Sequence, residues 1–268
     1  MIITHPGKAH HDDFLACCVC AYKLELPIFR LDWTEEHLKD PSVWVIDQGF
    51  KFEPSLHNFD HHQLTQEICS FTMILDYFYD KKYREIFPGL RYIEICDSYG
   101  PKRAADFVGA SQESLNMATS PISSAMIKFF GGFSGEVKDP LYSVIKEIGE
   151  EICSQIETKD FLLSCLDSHK FFEVCGVKVL DITNCNPPEG FLPCNLPTKT
   201  YCKNSGLNPD IILSKDSVQE GYRMIVVKTD FLRFLPSDKS YFTHASGFMT
   251  GFSKYEDYSY ILLNYTER

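Results

Sequence analysis

Long uninterrupted apolar runs are missing from this 268-residue chain. No stretch approaches the ~20 residues that a membrane-spanning helix needs, so no membrane partner is expected. The N-terminus also lacks the basic start and apolar core of a signal peptide, and a cytoplasmic location is expected. Positive charge is scarce: 26 Lys and Arg face 37 Asp and Glu, a formal net charge of −11. That balance argues against a broad basic surface for long duplex DNA. Paired cysteine spacing is sparse as well. Of the 11 cysteines, Cys17, Cys18 and Cys20 fall at apolar positions of a helical pattern, and the remainder carry no CxxC spacing. In a chain without an export signal they read as reduced, buried thiols rather than a disulfide framework or a zinc site. Internal repeats and low-complexity tracts are absent too. What remains is a globular chain, 44% hydrophobic, able to bury a substantial core in one large domain or two smaller ones.

The pattern along the chain is strand, helix, strand, helix, strand. "IIT" (residues 2–4) reads as a short buried strand, the run from Asp13 to Leu26 carries apolar residues at helical spacing, and "PIFRL" and "VWVID" (43–47) read as further strands. Thr34 is placed to cap a short helix between them. Such alternation favours a mostly parallel sheet, in which ligands collect beyond the C-terminal strand ends, where His5 and Asp47 lie. From Val137 to Leu166 apolar residues recur at steps of three and four, a long amphipathic helix. After it the texture changes: "FFEVCGVKVLDI", "DIILS" and "YRMIVVK" alternate with loops such as the Pro-rich segment 186–197, read as an ordered long loop. The boundary is placed near Ser168, giving residues 1–167 and 168–268 as two domains.

The chemistry is concentrated near the start. "THPGKAHHDDFLACC" (4–18) crowds three histidines and two aspartates at the mouth of the first helix. "WVIDQGFKFEPSLHNFDHHQ" (44–63) ends an apolar strand in Asp47 and then presents Asp60, His61 and His62 in succession. Mixed imidazole and carboxylate donors are what Mn, Fe or Zn sites require. One carboxylate can bridge two ions about 3.5 to 4 Å apart, an arrangement that lowers the pKa of a shared water and neutralises phosphate oxygens. His5, His10, Asp12, Asp47, Asp60, His61 and His62 are enough donors for two ions. His37, His57 and His169 have no partners nearby in sequence and are assigned structural roles, and His11 is expected to be exposed.

"DHHQ" after an Asp-ended strand, with a His-rich motif at the first strand, resembles the DHH phosphoesterase superfamily. The combination of "TH", Gly7, His10 and Asp12, then Asp47, Gly49, Pro54 and "FDHHQ", and finally "THASGF" near the C-terminus, is similar to its MYG-type exonuclease branch, the melanocyte proliferating gene family. The resemblance implies an α/β fold: a DHH-like catalytic domain with a mostly parallel sheet, followed by a smaller α+β domain that binds substrate as a lid. It implies that His5, His10 and Asp47 hold one divalent ion and that Asp12, His61 and Asp47 hold the other, with Asp97 of "EICDSYG" completing the second site unless it only starts or caps a helix. His62 is then expected to contact the scissile phosphate, Asp60 to orient its neighbours, and His244, Ser246 and Gly247 to bind substrate. Asp13 and His11 carry no assigned role.

The expected activity is metal-dependent phosphoester hydrolysis with two ions, Mn(II) favoured. By resemblance the substrate is RNA or a short single-stranded oligonucleotide trimmed from the 3′ end. The acidic composition keeps cyclic or very short nucleotides and pyrophosphate as alternatives, and a non-catalytic metal-binding regulator on the same fold is the alternative of another class. A homodimer is compatible with this reading.

Overall fold

A computed structural model of the chain describes residues 1–79, 81, 83–86, 88–118, 120–133, 135–166, 169–185, 198, 202, 205–216, 218–227 and 232–267. Ser168 and the Pro-rich segment 186–197 lie outside the described residues. The chain divides into two compact units, Met1–Ile156 and Glu157–Arg268. It is a mixed α/β protein. Among the described residues no helix is long and apolar enough to cross a membrane.

The first unit opens β1 (Ile2–Thr4), α1 (His11–Leu24), β2 (Ile28–Arg30), α2 (Glu35–Lys39), β3 (Trp44–Ile46), the alternation expected from sequence. Two short strands, β4 (Phe52–Glu53) and β5 (Asn58–Phe59), complete a sheet of order β2-β1-β3-β5-β4. β1 runs parallel to both β2 and β3, β3 runs parallel to β5, and only the edge strand β4 is antiparallel. Strand periodicity explains why these runs read as continuously apolar. Ile2, Trp44 and Ile46 face the main core with α1, whereas Ile3, Val43 and Val45 pack with Leu38 of α2 on the opposite face. Thr34 caps α2, its hydroxyl accepting from the His37 N–H at 3.3 Å.

α1 starts two residues earlier than its apolar pattern and stops at Leu24, because Glu25 takes a left-handed conformation (φ 54°) ahead of Pro27. The helices α3 (Ser70–Phe78), α4 (Tyr83–Ile86), α5 (Pro88–Tyr99), α6 (Pro101–Phe107), α7 (Gln112–Ala118), α8 (Pro121–Gly131) and α9 (Pro140–Leu166) follow. Tyr142, Ile145, Cys153 and Ile156 of α9 join the main core. The contact of α9 with α1 is close: a Cβ on Gly149 would lie 2.0 Å from the Cys18 carbonyl oxygen. Cys17, Cys18 and Cys20 are wholly buried in that core, where burial pushes their thiols well up and leaves them unreactive.

The second unit is strand-rich. β6 (Lys170–Val174), β7 (Val177–Asp181), β8 (Ile211–Lys215), β9 (Tyr222–Val226), β10 (Arg233–Phe234), β11 (Ser240–Thr243), β12 (Met249–Phe252), α10 (Asp257–Asn264) and β13 (Thr266–Glu267) run in chain order. Six of the strands form a sheet of order β11-β12-β9-β8-β7-β6, antiparallel apart from the parallel pair β7 and β8. Ile261 and Leu262 of α10 pack on one face with Val179, Leu213 and Met224.

Candidate metal centre

The C-terminal ends of β1 and β3 place two donors side by side. His5 follows β1 directly and Asp47 follows β3, and their Nε2 and Oδ2 atoms are 3.5 Å apart. Asp47 is buried and sits in the left-handed region at φ 56°, a conformation that Asp tolerates better than most residues. Its other oxygen, Oδ1, lies 3.4 Å from His61 Nε2 and 3.8 Å from His62 Nδ1, and it accepts a hydrogen bond from the Ser70 hydroxyl at 3.1 Å. One carboxylate therefore faces histidines from both motifs.

α1 and α3 supply the second wall. Asp12, in the first turn of α1, is buried and caps a different helix: its Oδ1 accepts from the Phe71 N–H at 2.7 Å and its Oδ2 from the Ser70 N–H at 3.1 Å. The N-terminus of α3 thus fixes the Asp12 carboxylate by amide donors and helix dipole together. Asp97, on α5, lies 2.8 Å from His61 Nε2, and Asp12 Oδ2 lies 3.9 Å from the same nitrogen. Three overlapping groups result, each with donor atoms within 4.8 Å of one another: His5, His10 and Asp47; Asp47, His61 and His62; Asp12, His61 and Asp97. Asp47 is common to the first two and His61 to the last two. These groups can hold metal ions.

The remaining members of the motifs orient this set. Asp60 is buried, its Oδ1 accepting from His62 Nδ1 at 2.6 Å and from the His62 N–H at 3.0 Å, while its Oδ2 accepts from the Phe50 N–H at 2.7 Å. His62 is held at Nδ1 with half of its side chain in solvent. Asp13 is buried against Arg30 at 2.6 Å and accepts from the His10 N–H at 2.7 Å, which fixes the start of α1. His11 lies within 3.0 Å of the Ser123 hydroxyl and enters none of the three groups. His57 stacks on Trp44 and bonds the Pro41 carbonyl at 2.7 Å, a structural role. Sequence reasoning missed Arg30 and Ser70, because nothing local in "PIFRL" or "CSFTM" marks them as neighbours of the donors.

The carboxylates and imidazoles of the site shift one another's ionisation. Burial pushes the Asp12 carboxyl well up, and the carboxylates of Asp47 and Asp97 add to it. Burial also opposes ionisation of Asp47, yet hydrogen bonds from His5 and His61 outweigh it and hold that carboxyl well below the usual range. The His5 imidazole is raised to about 9, chiefly by its bond to Asp47. That of His61 is opposed by burial and still raised to about 10 by Asp47 and Asp97. Without a cation, the histidines carry protons to balance the carboxylates.

Residues 1–75 match the MYG1 exonuclease family. That family is described as an uncharacterised protein family (UPF0160), and the match supports the MYG-type resemblance of the N-terminal motifs. The MYG1-type segment contains His5, His10, Asp12, Asp47, Asp60, His61 and His62 and ends within α3, before Asp97. No curated protein and no solved structure matches the chain.

In the second unit, "THASGF" forms the turn between β11 and β12. His244 Nδ1 lies 2.9 Å from the Ser246 hydroxyl, and the Gly247 N–H donates to the His244 carbonyl at 2.7 Å. Gly247 has φ 73°, and a Cβ there would lie 2.7 Å from the Phe234 carbonyl oxygen. The turn needs glycine at that point. His244 and Ser246 are exposed on it.

Proposed function

We propose that the first unit is a metal-dependent phosphoesterase, a DHH-like centre for two divalent ions, Mn(II) favoured, that shortens single-stranded RNA or short oligonucleotides from the 3′ end. The observation that carries this reading is the position of Asp47, whose two oxygens face His5 on one side and His61 and His62 on the other. In it, His5, His10 and Asp47 would hold one ion, and Asp12, His61 and Asp97 would hold the second, with Asp47 placed to serve both. The donor set fits: imidazole nitrogens and carboxylate oxygens are ligands of Mn, Fe and Zn, and a cation would take the place of the protons that balance the crowded carboxylates. When bound, the ions supply a water of lowered pKa and neutralise phosphate oxygens.

The chain's own residues do the rest. Asp12 is locked by the α3 amides, so it keeps its place whether or not a cation is present. Asp60 holds His62 through Nδ1, which leaves Nε2 to meet a phosphate oxygen or deliver a proton to the departing oxygen. A cavity of about 360 Å³ beside the donors, lined by His10, His61, His62, Gln66, Asp97 and Tyr99, has room for a nucleotide-sized group. The net charge of −11 favours short substrates, since few cationic side chains are available along a longer strand. His244, Ser246 and Gly247 are proposed as substrate-binding residues.

The test is a 5′-labelled RNA of about ten nucleotides resolved on a gel, with Mn(II), with chelator, and with an Asp60→Ala/His61→Ala double variant. A ladder descending by single nucleotides only with the parent protein and Mn(II) is expected. No shortening of RNA, alongside rapid cleavage of cyclic dinucleotides or pyrophosphate, would contradict the substrate assignment, and inertness towards every phosphoester would contradict the activity.

A further inference from the structure

The turn that carries Asp47 to β4 is strained at a residue that belongs to none of the three donor groups. Asp47, Gly49 and Phe50 all have positive φ, at 56°, 94° and 52°. Gly49 is required, since a Cβ there would lie 2.7 Å from a Leu38 methyl carbon in a conformation that side chains rarely adopt. Phe50 is the anomaly. A bulky side chain at φ 52° pays a steric penalty that glycine does not. Packing does little to offset it, because Phe50 as a residue is 65% exposed. An aromatic ring held in an unfavourable backbone conformation and turned to solvent loses on both counts.

What holds Phe50 there is the metal-site scaffold. Its N–H donates to Asp60 Oδ2 at 2.7 Å, and the Asp60 N–H donates to the carbonyl of neighbouring Lys51 at 2.9 Å. The same Asp60 carboxylate fixes His62 through its other oxygen at 2.6 Å. One buried residue therefore sets the positions of His62 and of the Phe50 ring, whose centroids are 6.2 Å apart with the rings steeply inclined. An exposed aromatic ring at this distance from an imidazole proposed to meet phosphate is within reach of the base of the same nucleotide. Stacking on an aromatic ring is available to every base and needs no positive charge, which suits an acidic chain. The strain is held in place by Asp60 and sits beside the donors, the setting in which strained backbone points to a functional role.

We propose that Phe50 is a base-stacking residue, a specificity determinant that holds the nucleobase next to the scissile phosphate. The assignment rests on the phosphoesterase reading of the neighbouring donors. It distinguishes nucleotide substrates from phosphoesters that lack a base.

The experiment compares the parent protein with Phe50→Gly and Phe50→Trp. Glycine relieves the strain, so Phe50→Gly is expected to fold and to melt above the parent, which separates a lost ring from a lost structure. Binding is followed by fluorescence anisotropy with a fluorescein-labelled single-stranded RNA and with the same strand made abasic at its 3′ terminal residue. The parent is expected to prefer the intact strand; in Phe50→Gly that preference falls by roughly tenfold, and Phe50→Trp retains it. A parent that binds both strands alike, that binds neither, or whose preference survives in Phe50→Gly would overturn the stacking role. Mn(II)-dependent hydrolysis of bis-p-nitrophenyl phosphate by the parent is measured alongside. Hydrolysis without a Phe50-dependent preference leaves the phosphoesterase reading standing and removes this one, whereas a Phe50-dependent preference without hydrolysis of any phosphoester does the reverse.

Discussion

Asp12 and Asp13 are neighbours in the chain with different partners. Asp12 takes the amides of α3 and faces His61, whereas Asp13 takes the Arg30 guanidinium and the His10 N–H. The Arg30–Asp13 pair is almost wholly buried, and Arg30 also lies over the Phe130 ring with Cζ 4.7 Å from its centroid. Breaking a buried pair by removing one partner leaves an uncompensated charge, at a cost of about 3 to 5 kcal/mol. Arg30→Met should therefore destabilise the protein by about 3 kcal/mol, and adding Asp13→Leu to it should recover part of the loss. Denaturant unfolding measures both. A single variant within about 0.5 kcal/mol of the parent would show that the pair is not what holds the start of α1.

At the scale of elements, the site depends on α1 keeping its place against the sheet, and Gly149 of α9 is where that packing is tightest. The Cys18 carbonyl lies 2.0 Å from where a Cβ on Gly149 would sit, and it belongs to the backbone of α1, so no rotamer change relieves the clash. Gly149→Ala should cost about 1 to 3 kcal/mol by overpacking and lower metal occupancy with it, because α1 carries Asp12. Gly132 is the control: a Cβ there meets only the Phe129 carbonyl oxygen, at 3.9 Å. Equal melting temperatures for Gly149→Ala and Gly132→Ala would contradict the packing argument.

The same two helices show what was legible in the sequence. β1, β3 and the Thr34 cap are local signals, a buried apolar run or a hydroxyl three residues from the amide it accepts. The donors near residues 5–12 and 60–62 stand out by residue type alone. The clearance at Gly149, the Arg30–Asp13 pair and the amides of Ser70 and Phe71 on Asp12 join residues far apart in the chain, and no periodicity records such contacts. The left-handed backbone of Phe50 was illegible for the opposite reason: glycine would have announced it, and phenylalanine conceals it.

For the whole molecule, the raised imidazoles of His5 and His61 link metal binding to pH. Their values move from 6.5 to about 9 and about 10, so at pH 7.5 both carry a proton in the metal-free protein. Because folding raises both, they stabilise the metal-free fold fully below pH 6.5 and lose that contribution as pH rises through 9 to 10. Metal ligation requires the neutral ring, so binding should release a proton from each. Calorimetric titration with Mn(II) in buffers of different ionisation enthalpy should give heats that vary with the buffer, and the melting temperature of the metal-free protein should fall between pH 7.5 and 10. A buffer-independent heat would show that the histidines are not ligands.

The central claim is that one carboxylate joins two ion sites, and metal content by atomic emission after gel filtration in Mn(II) tests it most directly. The account predicts two ions per chain in the parent, two in His62→Ala, whose side chain is proposed to serve substrate, and loss of both in Asp47→Asn. A metal-free parent, or an Asp47→Asn protein that retains both ions, would contradict it.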